Sequence, residues 1–211
     1  MRLLRIFAVC DGQSLGKTTL ARLIHNAMPS LGSSLICIGT SRQQMPFLDS
    51  PLRSAYFDIE ATGAIGQLTQ VVRHHRVVVL DVETAKHAKA QAFLNDPCLL
   101  AKLGALQTHA MRLTPDLSNC TLQVRRPLAD GTAWDHETQQ IEMPSLPRGI
   151  RESLQKQQVT LPAALGEHRH QLDLRVRDWL GLWEHLCAPP LLKLLERCQP
   201  EHDKVPMANA V

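Results

Sequence analysis

Residues 3–10, LLRIFAVC, form a mostly apolar run of the kind a strand carries when both of its faces are buried. The polar, glycine-bearing stretch DGQSLG follows at once. Leu20, Leu23, Ile24 and Ala27 then recur at helical spacing, with Pro29 just past their end. SLICIGT (34–40) predicts a second strand, entered through Gly32, Ser33 and Ser34. ATGAIGQLTQVVRHH (61–75) predicts a helix in spite of its two glycines. RVVVLDVE (76–83) is the strongest strand signal in the chain, because four consecutive aliphatic residues lead to Asp81. Residues 84–113 read as helical, with Asp96-Pro97 breaking or kinking the run. Strands and helices alternating in this way predict an α/β fold, with a mostly parallel sheet and helices on both faces.

The second half is less regular. TLQVRRPL (121–128) and QQVTLP (157–162) have the composition of strands, and QQIEMPSLP (139–147) reads as a short strand and then a loop. Two helices are expected, over 146–157 and 170–186. In the second, Leu172, Val176, Trp179, Leu180 and Trp183 share a face, as core or as a subunit contact. PPLLKLLERCQ predicts a further short helix. No internal repeat or domain boundary is visible, so residues 1–199 form one expected domain and 200–211 a disordered tail.

Composition narrows the function classes. Of the 211 residues, 44% are hydrophobic and 20% charged, and the formal net charge is +3. That balance leaves DNA binding open without indicating it, and 4% aromatics make a base-stacking surface unexpected. Cys10, Cys37, Cys98, Cys120, Cys187 and Cys198 form no C-x-x-C pair and read as free thiols of a reducing cytosol. No apolar run reaches the length of a membrane span, so a cytoplasmic protein is expected. His74-His75 and EHRHQ (167–171) lack metal-ligand spacing and read as solvated helix ends. Arg125 and Arg126 read as a solvated strand edge.

The candidate chemistry sits in VCDGQSLGKTTLARL (9–23). Gly12 and Gly16 allow a tight turn, so that backbone N–H groups of residues 13 to 18 can wrap a phosphate at a helix start. Lys17 supplies a full positive charge to the β- and γ-phosphates, and the Thr18 hydroxyl can hold Mg²⁺. Asp81 ends the aliphatic strand at the sheet edge where such folds bind ligands, as a metal-ordering carboxylate or as a helix cap.

DGQSLGKTT resembles the deviant Walker A motif, K-G-G-x-G-K-T-T, of the ParA/MinD superfamily of P-loop ATPases. Within it the chain is most similar to the StbB-type plasmid stability proteins, over residues 3–28 and 76–83. The stretch RESLQKQQVTLPAAL is similar to the end of that family. The resemblance implies a P-loop NTPase fold, with Gly12, Gln13, Ser14, Leu15, Gly16, Lys17, Thr18 and Thr19 around the phosphates of ATP. It also implies Thr18 and Asp81 near Mg²⁺, and Lys17 and Asp81 as the catalytic pair. It further implies a slow ATPase switch that acts on plasmid or other cargo through a protein partner and a nucleotide-dependent homodimer. Gly12 departs from the pattern, because the family carries its signature lysine there. The second strand offers no aspartate at its end, and Thr40, Ser41, Asp49 and Asp58 are only distant candidates. The alternatives are a P-loop small-molecule kinase or ligase, with 114–145 as a lid, and a degenerate P-loop protein serving as a structural partner.

Overall fold

A computed structural model describes residues 5–12, 16–28, 31, 34–42, 54–116, 119–128, 133–166 and 168–196. Seven strands form one sheet: β1 (Arg5–Cys10), β2 (Leu35–Gly39), β3 (Ser54–Tyr56), β4 (Val77–Asp81), β5 (Thr108–Asp116), β6 (Thr121–Arg125) and β7 (Gln139–Glu142). Their spatial order is β3-β2-β4-β1-β5-β6-β7. The first four pairings, out to β1–β5, are parallel, and β5–β6 and β6–β7 are antiparallel. The expected α/β class is borne out, with a mixed and mostly parallel sheet.

The two strands with unbroken apolar runs occupy the middle. Every residue of β4 is buried, and β1 is buried from Ile6 onward. Successive residues point to opposite faces. Ile6, Ala8 and Cys10 enter one core with α1 (Lys17–Asn26), α5 (Arg148–Lys156), α6 (Leu161–Ala164) and α7 (Leu174–Glu196). Phe7 and Val9 enter the other with α2 (Ala64–His74), α3 (His87–Leu94) and α4 (Pro97–Ala105). Helices therefore cover both faces.

The chain leaves β1 through α1, passes over β4 and returns as β2. It leaves β4 through α3 and α4 on the other face, passes β1 and returns as β5. Neighbouring strands whose exits part to opposite faces open a crevice at their carboxyl ends, which is where open α/β sheets hold ligands. Here the crevice lies between Cys10 and Asp81, which are paired in register.

Three expectations are corrected. The helical reading of 84–113 ends at Ala105, because 108–116 is β5. That strand is buried on both faces, Ala110 entering one core and Met111 and Leu113 the other, so its apolar residues do not alternate and the period-2 signal is lost. QQVTLP is not a strand. Gln158 turns the chain at φ 55°, and Pro162 lies in the first turn of α6, where its missing N–H costs nothing. The last two expected helices are one, since α7 runs through Pro189 and Pro190. Burial of Leu191, Leu194 and Leu195 in the core offsets the hydrogen bonds those prolines remove. On α7, Leu172's expected partners Val176, Leu180 and Trp183 are buried, whereas Trp179 is exposed with Arg175 over its ring.

Cys10, Cys37 and Cys187 are buried free thiols, and Cys98 is exposed. Cys198 and the expected tail at 200–211 lie outside the described residues. Among the described residues, no helix is long and apolar enough to cross a membrane.

Candidate functional site

The 11–18 loop joins β1 to α1, and Gly16 opens the helix at φ 105°, a conformation that disfavours any Cβ. Lys17 follows as the first helical residue. Its side chain is buried, and its Nζ donates to the carbonyl of Gly12 at 2.9 Å and to Thr84 Oγ1 at 2.8 Å. Burial lowers the Lys17 pKa, and the negative charges of Asp81 and Asp11 oppose that shift. Both of these partners are neutral oxygens, so an anion at the helix start would offer the ammonium a stronger one.

Thr18 Oγ1 donates to Asp81 Oδ2 at 2.6 Å. Asp81 is fully buried, and its second oxygen, Oδ1, has no hydrogen-bond partner among the described residues. Desolvation pushes the Asp81 carboxyl up to about 6, while the Thr18 hydrogen bond and the Lys17 charge pull it down. A buried acceptor left half-satisfied next to a helix start is a natural place for a cation's shell. Among the described residues no three His, Cys, Asp or Glu side chains converge. The donor set therefore suits a cation held by one hydroxyl, one carboxylate and ligand oxygens, as Mg²⁺ is held on polyphosphates. Asp81 caps no helix in this arrangement: the helical turn that follows β4 begins at Thr84, with Glu83 before it.

Asp11, at the place of the usual first glycine, is buried and has a definite task. Its Oδ1 accepts the Gly12 N–H at 2.6 Å, and His87 Nδ1 lies 3.0 Å from the same oxygen. Its Oδ2 accepts from Gln91 Nε2. Gln91 Oε1 accepts in turn from Arg112 at 2.6 Å, and Arg112 also donates to Asn95 Oδ1 at 2.9 Å while stacking 4.5 Å from the Trp134 ring. Desolvation lowers the Arg112 pKa to about 10, against the pull of Asp11. A carboxylate of the loop is thus bound to α3 and, through Gln91, to a buried guanidinium on β5.

The expected phosphate-binding set divides accordingly. Gly16, Lys17, Thr18 and Thr19 surround the helix start, with Asp81 beneath Thr18. Gly12 belongs to the opposite end of the loop: its N–H serves Asp11 and its carbonyl serves Lys17. Its φ of 107° and a Cβ position 2.7 Å from Thr114 Cγ2 leave no room for a lysine there. Gln13, Ser14 and Leu15 lie outside the described residues, as does Asp49. Thr40 is buried and its Oγ1 accepts the Glu83 N–H, Ser41 is buried, and Asp58 holds the backbone of Glu60, so none of the three is presented as a water-positioning group.

Thr84, His87, Gln91 and Arg112 were not legible as site residues. The one signal was Asp11 itself, since a carboxylate at a strand end inside an apolar environment requires buried donors. Beside Gly16, on the β5 side, a largely apolar pocket of about 350 Å³ opens between α1, the ends of β5–β7 and α5.

Comparison with known protein families, with curated proteins and with solved structures gives no match for this chain.

Proposed function

We propose that the protein is a P-loop NTPase that binds ATP with Mg²⁺ at the 11–18 loop and works as a slow ParA/MinD/StbB-like switch. In this reading it acts in the cytoplasm through a protein partner and nucleotide-dependent self-association, in the maintenance of plasmid or other cargo. One observation carries the reading: Thr18 bonded to Asp81 at 2.6 Å, with the second Asp81 oxygen buried and unpartnered beneath a helix start that also bears Lys17. Lys17 would exchange its neutral oxygens for phosphate oxygens, and Gly16 and the first-turn N–H groups would receive the remaining charge. Thr18 and Asp81 would hold Mg²⁺, which neutralises phosphate charge when bound.

Binding is proposed ahead of fast turnover. Asp11 is engaged by Gly12, His87 and Gln91, so it does not present a base to an attacking water. Self-association cannot use a lysine at position 12, because the backbone there excludes one. A titration calorimetry experiment with ATP and Mg²⁺ tests the site. Lys17→Ala should weaken binding on the order of 10- to 100-fold, the worth of a charge-assisted contact, with the circular dichroism spectrum unchanged. Equal affinities for wild type and variant would overturn the proposal.

A further inference from the structure

We infer that the apolar pocket beside Gly16 receives the base of the nucleotide, a planar heteroaromatic ring, with its phosphates at Lys17 and Thr18. The inference rests on the nucleotide reading above and adds the direction in which the ligand lies. Thr18 and Thr19 are consecutive helical residues, so their side chains diverge by about 100° around the axis. Thr18 turns toward β4, where it meets Asp81, and Thr19 lines the pocket at the end of β5. The metal-bearing end of a polyphosphate therefore lies over β4, and its other end arrives at the pocket mouth.

What is attached at that end must suit the walls. Leu23 on α1, Pro115 at the end of β5 and Trp183 on α7 offer flat or apolar surface. The Trp183 ring is fixed, because its indole N–H donates to the carbonyl of Pro144 at 3.0 Å. The volume of about 350 Å³ falls within the roughly 300–1,000 Å³ of small-molecule sites. An acceptor for phosphoryl transfer would instead have to stand at the opposite, β4 end, away from this pocket. A ring continuous with the phosphates is the occupant that both the position and the lining favour.

The test compares ATP with inorganic tripolyphosphate, both with Mg²⁺, by calorimetry. Wild type should bind ATP at least tenfold more tightly than tripolyphosphate. Val159→Trp fills the pocket from its half-buried edge, and Gln155→Trp does so from an exposed position that carries no folding burden. Each should reduce ATP affinity at least tenfold and leave tripolyphosphate affinity unchanged, which closes the gap. A gap that persists in both folded variants overturns the inference, and so does a wild type that binds the two probes equally. If wild type binds neither probe, the nucleotide reading itself has failed, a result distinct from both.

Discussion

Two layers meet at the 11–18 loop and hold it by opposite means. On the α3 side the contact is polar and mutual: Asp11, His87, Gln91, Asn95 and Arg112 are joined in one chain of hydrogen bonds, with Arg112 Nε lacking a partner among the described residues. On the α1 side the pocket is largely apolar, Thr19 faces it, and Asp81, though bonded by Thr18, keeps a second oxygen with no hydrogen-bond partner among the described residues. A mutually bonded buried network fixes position, because every member loses if one moves. A half-satisfied one is unstable by itself and gains from a ligand. The α3 layer therefore fixes the Asp11–Gly12 end of the connection, and the α1 layer holds the groups proposed to meet phosphate and Mg²⁺.

The largest effect should come from breaking the positional layer. Asp11→Gly restores the glycine of the usual loop pattern, yet it leaves the Gly12 N–H, His87 and Gln91 without their carboxylate, and Arg112 without the negative charge held through Gln91. Loss of one member of a buried charged network costs about 3–4 kcal/mol, and urea unfolding should show a loss of that order. Asp11→Asn, which keeps the acceptor on one side, should lose less. If Asp11→Gly unfolds at the wild-type midpoint, the loop is held by something other than the α3 layer.

A smaller effect of opposite sign should come from the binding layer. Asp81 has a folded pKa raised from 3.8 to about 6 by burial. The folded state thus holds that proton more tightly than the unfolded chain does. The stability it contributes is complete below pH 4 and is lost as pH rises through 6. Asp81→Asn removes this loss. A shift of about 2 units at ~1.4 kcal/mol each, less about 1 kcal/mol for a buried amide N–H without a partner, leaves a gain of about 2 kcal/mol at pH 8 and a loss of about 1 kcal/mol near pH 4. The same variant should lose the Mg²⁺-dependent part of its ATP affinity. Stability and binding moving in opposite directions is the signature of a group kept for its ligand. Parallel losses in both at pH 8, with urea unfolding and calorimetry run at pH 4 and 8, would make Asp81 a structural residue.

The same contrast explains what the sequence could and could not show. β1, α1 and β4 were legible because each is a long, single-signal element: an apolar run, a helical stripe, four aliphatics before Asp81. Gly16, Lys17, Thr18 and Asp81 were legible with them, since a glycine-lysine-threonine after one buried strand and an aspartate ending another imply the same sheet edge. Arg112 was hidden because THAMRLTPD, buried on both faces, has no alternation and its start reads as the end of a helix. His87 and Gln91 lay in a stretch read only as helical, and their packing against Asp11, 76 and 80 residues earlier, gives them a role. The pocket was beyond reading for the same reason: its walls come from α1, the strand ends of β5–β7 and three late helices, α5, α6 and α7.

The finest division of the two roles lies between adjacent hydroxyls. Thr18, half-buried, and Thr19, buried, share a helix and a side-chain shape, so valine at either position changes the hydroxyl and little else about helix propensity. Thr18→Val leaves both Asp81 oxygens unpartnered in a fully buried carboxylate. That should cost about 1.5 kcal/mol at neutral pH, and it should raise the Asp81 pKa further, because the hydrogen bond that lowers it is gone. Thr19→Val exposes a methyl group to an apolar pocket and should change stability by less than about 0.5 kcal/mol. Urea unfolding at pH 7 measures both, and the difference should shrink as pH falls below 6 and Asp81 takes up its proton. Equal losses for the two variants at pH 7 would mean that Asp81 does not depend on Thr18, and that the polar contact on the α1 side is not what separates the two layers.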